Sequence, residues 1–293
     1  MTDFAEGGTV VVDLTERTGP SYARIALGLL SRRRGTSLPD RTVIRREAVI
    51  DREHLARYDR VCGFRLADAL PATYPHVLAA PLAMRLMSAP DFPFPLAGLV
   101  HVANRITVHR PIDAGSRLDL SVRAAGLRPH NRGQQFDVIS SATVDGEEAW
   151  RGVSTYLRKD RPGGDVGRSD QPPAPAAAAR WRVPVRVGRD YAAVSGDHNP
   201  IHTSRLGAYL FGFPRPIAHG MWSKAHCLAA LDGRLPAAYR VDVAFKLPIL
   251  LPATVGFAAA RGADGWDFTL HAAGSGRPHL VGSVTGVTPR PGR

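Results

Sequence analysis

Two apolar rhythms divide the chain. Short stretches alternate apolar and polar residues, as strands with one buried face require, and between them lie stretches with the helical period of three to four. Val43 to Ile50 reads as a strand, and Asp51 to Val61 as a helix with Asp51 as its N-cap and Leu55 and Tyr58 on one face. Thr73 to Ser88 is an alanine- and leucine-rich helical pattern that contains Pro75 and Pro81, and the proline-rich run Pro90 to Pro95 follows it. Four strand-like runs come next: Gly98 to Val108, Arg117 to Ala125, Gln134 to Val144 and Ala149 to Leu157. Turn residues such as Asp113-Ala114-Gly115 and Asp145-Gly146 separate them. Near the start, Ser21 to Arg34 reads as a short helix with Tyr22, Ile25, Leu29 and Leu30 on one side. Its arginine triplet sits at the C-terminal end, where the helix dipole favours positive charge.

The pattern then breaks and repeats. Asp160 to Arg180 holds Pro-Gly-Gly, Pro-Pro and a run of alanines, with little to bury, and reads as a linker. Beyond it, Tyr191-Ala-Ala-Val194-Ser-Gly196 matches Tyr58-Asp-Arg-Val61-Cys-Gly63 at an offset of 133, and Leu247-Pro248-Ile249 matches Arg110-Pro111-Ile112 at 137. Strands are expected at Tyr239 to Lys246, Ala253 to Ala260, Trp266 to Ala272 and Pro278 to Val287. A helical part followed by hairpin-spaced strands, twice over, is α+β, and the halves read as two copies of one fold packed as an internal pseudo-dimer. The expected division is an N-terminal extension over 1–40, a first domain over 41–159, a linker over 160–180 and a second domain over 181–293. Carried past Gly63 without a gap, the repeat sets Phe64 opposite Asp197 and Ala69 opposite His202. The first half thus lacks both polar members, and Phe64 becomes a candidate for an apolar binding wall.

Composition narrows the class. A chain of 293 residues suits two domains of roughly 120 to 150 residues, and 44% hydrophobic content supplies a core for each. Two cysteines, Cys62 and Cys227, both in apolar segments, exclude a disulfide scaffold and read as buried thiols. The polar start, Met-Thr-Asp-Phe-Ala-Glu, has no signal-peptide form, and no apolar run is long enough to span a bilayer, so a cytoplasmic protein without stable membrane insertion is expected. The net charge of +12 is almost wholly arginine, with lysine only at 159, 224 and 246, a bias that a GC-rich genome explains. Its positive field still suits an acidic ligand. The arginines are scattered, which argues against nucleic acid.

The chemistry concentrates between Tyr191 and Trp222. Asp197 and His202 flank Asn199-Pro200, a good N-cap followed by the residue that fits the first helical position, so a turn runs into a helix start. A carboxylate and an imidazole on such a turn can converge on one water as an acid/base pair. Taken singly, Asp197 reads equally as a cap and His202 as a satisfied buried histidine. His198 and His202 stand four apart, but Pro200 interrupts a regular helix and no third ligand is evident, so no metal is expected. His219 and His226 read as supports for packing or polar contacts near the helix. Gly274-Ser-Gly276 does not complete a dinucleotide fingerprint, and no nucleophile elbow or P-loop occurs.

Tyr191-x-x-Val194-Ser195-Gly196-Asp197-x-Asn199-Pro200-Ile201-His202, followed by Ala218-His219-Gly220-Met221, resembles the signature of the MaoC-like (R)-specific enoyl thioester hydratases. The whole chain is similar to the two-hot-dog (3R)-hydroxyacyl thioester dehydratases of actinobacterial type. The resemblance implies a double hot-dog, each half a helix wrapped by an antiparallel sheet, and reversible dehydration of (3R)-hydroxyacyl thioesters to trans-2-enoyl thioesters. Asp197 and His202 would be catalytic, Asn199 would shape their loop, and the first-turn amide of Gly220 would receive charge from the thioester oxygen. No cofactor is implied, the substrate being carried on coenzyme A or an acyl carrier protein, and the pseudo-dimer would act as a monomer or pair into a homodimer. In some bacterial relatives a serine on the following helix contacts the aspartate, and Leu228 stands at that position here. The rivals are a hot-dog thioesterase and a non-catalytic acyl-binding subunit of a lipid-synthesis complex.

Overall fold

A computed structural model describes residues 9–11, 36–160 and 176–288. The helix expected over Ser21 to Arg34 lies outside them. The first half begins with β1 (Thr9–Val11) and β2 (Thr42–Val49), then α1 (Arg52–Cys62) and α2 (Tyr74–Met87), and closes with β3 (Leu99–Val108), β4 (Arg117–His130), β5 (Gly133–Val144) and β6 (Glu147–Lys159). The second half runs β7 (Ala179–Val183), α3 (Val187–Ser195), α4 (Pro200–Thr203), α5 (Arg205–Leu210), α6 (Gly220–Ala230), β8 (Tyr239–Phe245), β9 (Ala253–Arg261), β10 (Gly265–Ala272) and β11 (Pro278–Gly286). Strand β7 starts inside the segment read as linker, because Ala179 and Arg180 pair with Phe257 and Gly256 and so draw the end of the alanine run into the sheet.

All eleven strands form one sheet in the order β1-β2-β4-β5-β6-β3-β8-β11-β10-β9-β7, antiparallel except for the parallel pair β1 and β2. The first half contributes the order 2-4-5-6-3 and the second 7-9-10-11-8, one topology written twice. The copies join edge to edge where β3 pairs β8, from Ala103↔Ala244 to Val108↔Tyr239. This is the double hot-dog, with α2 and α6 as the long helices of its two halves.

Helix ends follow the expected chemistry. Asp51 accepts from the N–H groups of Glu53 and His54 at the start of α1, and Gly63 ends it at φ 86°, in the left-handed region that favours glycine. Gly196 ends α3 in the same way at φ 74°. Tyr58 and Tyr191, the paired tyrosines of the repeat, are both buried with ring centroids 6.3 Å apart. Helix α6 crosses to the other half: Trp222 Nε1 donates to the Val61 carbonyl at 3.1 Å, and His226 Nδ1 lies 2.8 Å from that of Cys62. Two otherwise unpaired carbonyls of the last turn of α1 are thereby satisfied. Cys62 and Cys227 are buried free thiols.

The gapless repeat fails at Ala69. Ala69 bridges Asp113, whereas the matching bridge in the second half joins Ile217 to Leu250, and Leu70 N–H to Ile112 O is matched by Ala218 N–H to Ile249 O. The counterpart of Ala69 is therefore Ile217, not His202. The second half inserts α4 and α5 at this point, and the first half has no position equivalent to His202.

Candidate active site

The dyad is built by two short turns. Asn199 Oδ1 accepts from Ile201 N–H at 3.3 Å and caps α4, while Asp197 Oδ1 accepts from Asn199 N–H at 3.1 Å and is held over the same turn. Helix α3 lies against this turn so closely that a Cβ on Gly188 would stand 2.0 Å from the His202 carbonyl oxygen. His202 Nδ1 lies 2.8 Å from the carbonyl of Ile217. A carbonyl can only accept, so the proton sits on Nδ1 and Nε2 is left as an acceptor.

The structure adds His219 to the pair. Its Nε2 lies 3.0 Å from the Asp197 carbonyl and 3.8 Å from the Asp197 carboxylate, and its ring stacks on His202 with centroids 3.7 Å apart. Tyr191 supports it at 4.9 Å. Sequence reasoning gave His219 packing or polar contacts near the helix, without a place beside the dyad. The available signal was its place beside Gly220 in Ala-His-Gly-Met, but closeness to Asp197, 22 positions earlier, depends on the insertion that folds the chain back.

Burial and the neighbouring His202 push His219 down to about 3, so it is neutral at pH 7. Burial also lowers His202, against the opposing pull of Asp197 and of the Ile217 carbonyl. Asp197 is raised by burial, but His219, His202 and the Asn199 N–H outweigh that and hold it below its ordinary value. Its side chain remains 52% exposed, open to an incoming ligand. The site thus presents an ionised carboxylate beside a neutral imidazole, both proton acceptors.

A third candidate ligand does exist, contrary to expectation: one donor atom each from Asp197, His202 and His219 lies within 4.8 Å of the others. His202 Nδ1 and His219 Nε2 face backbone carbonyls, however, and the rings are stacked with planes 26° apart. Imidazole lone pairs lie in the ring plane, so two nearly parallel rings do not converge on one ion.

Gly220 opens α6 directly after His219, and no hydrogen bond from its N–H occurs among the described residues. A Cβ there would stand 3.0 Å from the Phe245 ring, tighter than ordinary contact, so a side chain at this position would press on that ring. Phe64, next after Gly63, packs against Tyr58 at 6.4 Å and is partly buried. Leu228 is in the core. From the first half, His76, His101 and Tyr156 lie near enough for the Asp197 charge to act on each. None of the three was singled out by sequence. A groove lined by Arg105, Asp137 and Asp242 runs over the seam on the opposite face of the sheet.

The MaoC like domain matches residues 179–267. The chain is 42% identical over 260 residues to 3-hydroxyacyl-thioester dehydratase X of Mycobacterium tuberculosis, across 87% of this chain and 92% of that protein. It is 27% identical over 149 residues to 3-hydroxyacyl-thioester dehydratase Y of the same organism, across 47% of this chain and 50% of that protein. The crystal structure of HtdX from M. tuberculosis superposes with a TM-score of 0.76 at 42% identity, covering 84% of this chain and 100% of that one.

Proposed function

The chain belongs to the MaoC-like 3-hydroxyacyl-thioester dehydratases, and from that premise we propose that Asp197 and His202 perform the reversible dehydration of (3R)-hydroxyacyl thioesters to trans-2-enoyl thioesters. The observation that carries the assignment is the locked tautomer of His202, which leaves Nε2 as an acceptor beside an ionised carboxylate. A water between them donates one hydrogen bond to each and turns a lone pair outward. In hydration its oxygen bonds to C3 as one O–H proton passes to the dyad. The double-bond electrons move toward Cα and the thioester oxygen, and Cα then takes a proton back from the dyad. Dehydration reverses each step, the hydroxyl leaving as water. The free Gly220 N–H at the positive end of α6 suits the charge that develops on the thioester oxygen.

No cofactor enters this scheme. The substrate arrives on coenzyme A or an acyl carrier protein, whose negative charge the +12 chain favours, in a cytoplasmic setting. No described helix is long and apolar enough to cross a membrane. The second half does the chemistry and Phe64 of the first borders the acyl chain. Purified protein incubated with trans-2-enoyl-CoA esters of increasing length tests this reading: the enoyl chromophore is lost without release of free thiol. Thiol release would select the thioesterase instead, and neither change would leave an acyl-binding subunit.

A further inference from the structure

Helix α5, in the segment that the second half inserts, carries its large apolar residues outward. It reads Arg-Leu-Gly-Ala-Tyr-Leu, and the two smallest residues, Gly207 and Ala208, are the buried ones. A Cβ on Gly207 would collide with the side chain and carbonyl of Pro200 at the start of α4, so the close packing of α5 on α4 requires the glycine. Leu206, Tyr209 and Leu210 stand at i, i+3 and i+4, which is one face of a helix. That face is open to solvent, with the three residues 69%, 73% and 73% exposed, and Phe211, next in the chain, is half-exposed. A surface helix ordinarily turns its apolar stripe to the core and its polar residues to water. Here the order is reversed.

The surroundings are basic. No Asp or Glu occurs between His198 and Leu231. Arg205 opens α5 and Arg215 follows Phe211 by one turn of chain, and neither is ion-paired among the described residues. The one lysine of the stretch, Lys224, is buried and bonded at the seam. The backbone at the tip is paired internally: the N–H groups of Phe211 and Phe213 donate to the Ala208 carbonyl at 3.1 and 2.9 Å, and that of Gly212 donates to the Tyr209 carbonyl at 3.0 Å. A tip whose amides are already paired can leave water without stranding them.

We propose that the outward face of α5, continued by Phe211, docks reversibly on an anionic lipid surface, with Arg205 and Arg215 among the headgroups and the four apolar side chains in the outer hydrocarbon. Such a surface is layered, charge outside and hydrocarbon within, and interfacial segments match it with apolar side chains flanked by cations. An acidic protein would pair the arginines but set the four apolar side chains against its own polar surface. A second copy of the chain fits less well: a stable dimer takes about 800 Å² from each partner, more than this short helix supplies, and two such faces would oppose like charges. The contact is peripheral and is not a span. Helix α5 follows α4, which carries His202, so docking sets lipid beside the segment that builds the dyad.

The test is co-sedimentation of the full chain with vesicles of phosphatidylcholine, alone or with about one-third phosphatidylglycerol. The chain sediments with the anionic vesicles and much less with the neutral ones, and rising salt releases it. Leu206→Ser combined with Leu210→Ser lowers the partition coefficient at least about tenfold, and Tyr209→Ser, an independent variant of the same face, lowers it by a smaller factor. Arg215→Gln lowers it about fivefold. Leu66→Ser, at a leucine of the first half that is 67% exposed, leaves it unchanged. Thermal melting checks that each variant is folded. Absence of vesicle binding, equal binding to neutral vesicles, or the same loss in Leu66→Ser as in the double variant overturns the proposal. Dimerisation, or capture of an acidic acyl carrier protein, that the double variant abolishes while vesicles stay unbound overturns it in favour of that occupant. Turnover plays no part in this readout, so its outcome stands apart from whether the dyad dehydrates thioesters.

Discussion

Helices α2 and α6 occupy corresponding places against the same five-strand pattern, and only one begins at the candidate site. The first half closes its helix start with satisfied groups. The Tyr58 hydroxyl donates to Thr73 Oγ1 at 2.8 Å, and Trp150 Nε1 donates to the Ala72 carbonyl at 2.7 Å. In the second half the equivalent of Ala72 is Gly220; the N–H of each has no partner among the described residues, but the residue before Gly220 is His219, stacked on His202. The candidate site lies where one copy of the fold inserts a segment that brings Asp197, His202 and His219 together, and the other copy has no counterpart to that segment.

The sharpest way to break the comparison is to remove the dyad. Asp197→Asn and His202→Ala should each lower turnover on enoyl-CoA by about 10²- to 10⁴-fold. Circular dichroism should be unchanged, because Asp197 lies on a turn and His202 on the single-turn helix α4, both outside the sheet, and near-normal turnover in either folded variant would end the assignment to the second half. A change of pH probes both halves together. His219 and His101 titrate at about 3 and His76 at about 4, below the ordinary histidine value of ~6.5. Between these values the unfolded chain binds protons that the folded chain refuses. Their stabilising contribution is therefore complete above about pH 6.5 and is lost as pH falls below it. Asp59, raised by burial to about 6, opposes the loss below that pH. Urea midpoints should fall from pH 6.5 downward, and less steeply in His76→Phe and in His219→Phe; a slope unaltered by both would show that neither histidine is held neutral.

Smaller effects sharpen the contrast. Phe64→Asp should raise apparent KM more for long enoyl chains than for a four-carbon one, since each methylene withdrawn from water is worth about 0.8 kcal/mol. Equal losses would make Phe64 a support of the fold. Gly220→Ala should destabilise by about 1–3 kcal/mol in urea through collision with Phe245, whereas Ala72 already bears that methyl group in the first half. Least of all, Arg105→Ala, which breaks an exposed ion pair to Asp242 across the seam, should cost no more than about 1 kcal/mol; a larger loss would mean that charge rather than strand pairing joins the halves.

The strands of both halves were legible from alternation, because each buries one face and marks its ends with turn residues, and the dyad was legible because Asp197, Asn199, Pro200 and His202 are close in sequence. What could not be read depends on chain length in three dimensions. Ala69 was aligned wrongly because a repeat without gaps has no means of seeing the excursion through α4 and α5. His219 reaches Asp197 only through that excursion. His101 escaped because one extra residue, Val102, reverses the side to which it points, and Lys224 because a lysine on an apolar helix gives no hint of the three acceptors waiting at the seam, two from Asn104 of β3 and one from Val241 of β8.

The continuous pairing of β3 with β8 also governs what would happen to a severed polypeptide. Cut between Asp160 and Pro175, the fragments would each expose a long unpaired strand edge, β3 on one and β8 on the other, which is the template for uncontrolled association. Produced together, each would be the best available cover for the other's edge, and α6 would carry Lys224 back to Asn104. Tethering in one chain raises the effective concentration of each edge for its mate, so the covalent link acts as a built-in chaperone for a surface that neither half could safely leave bare.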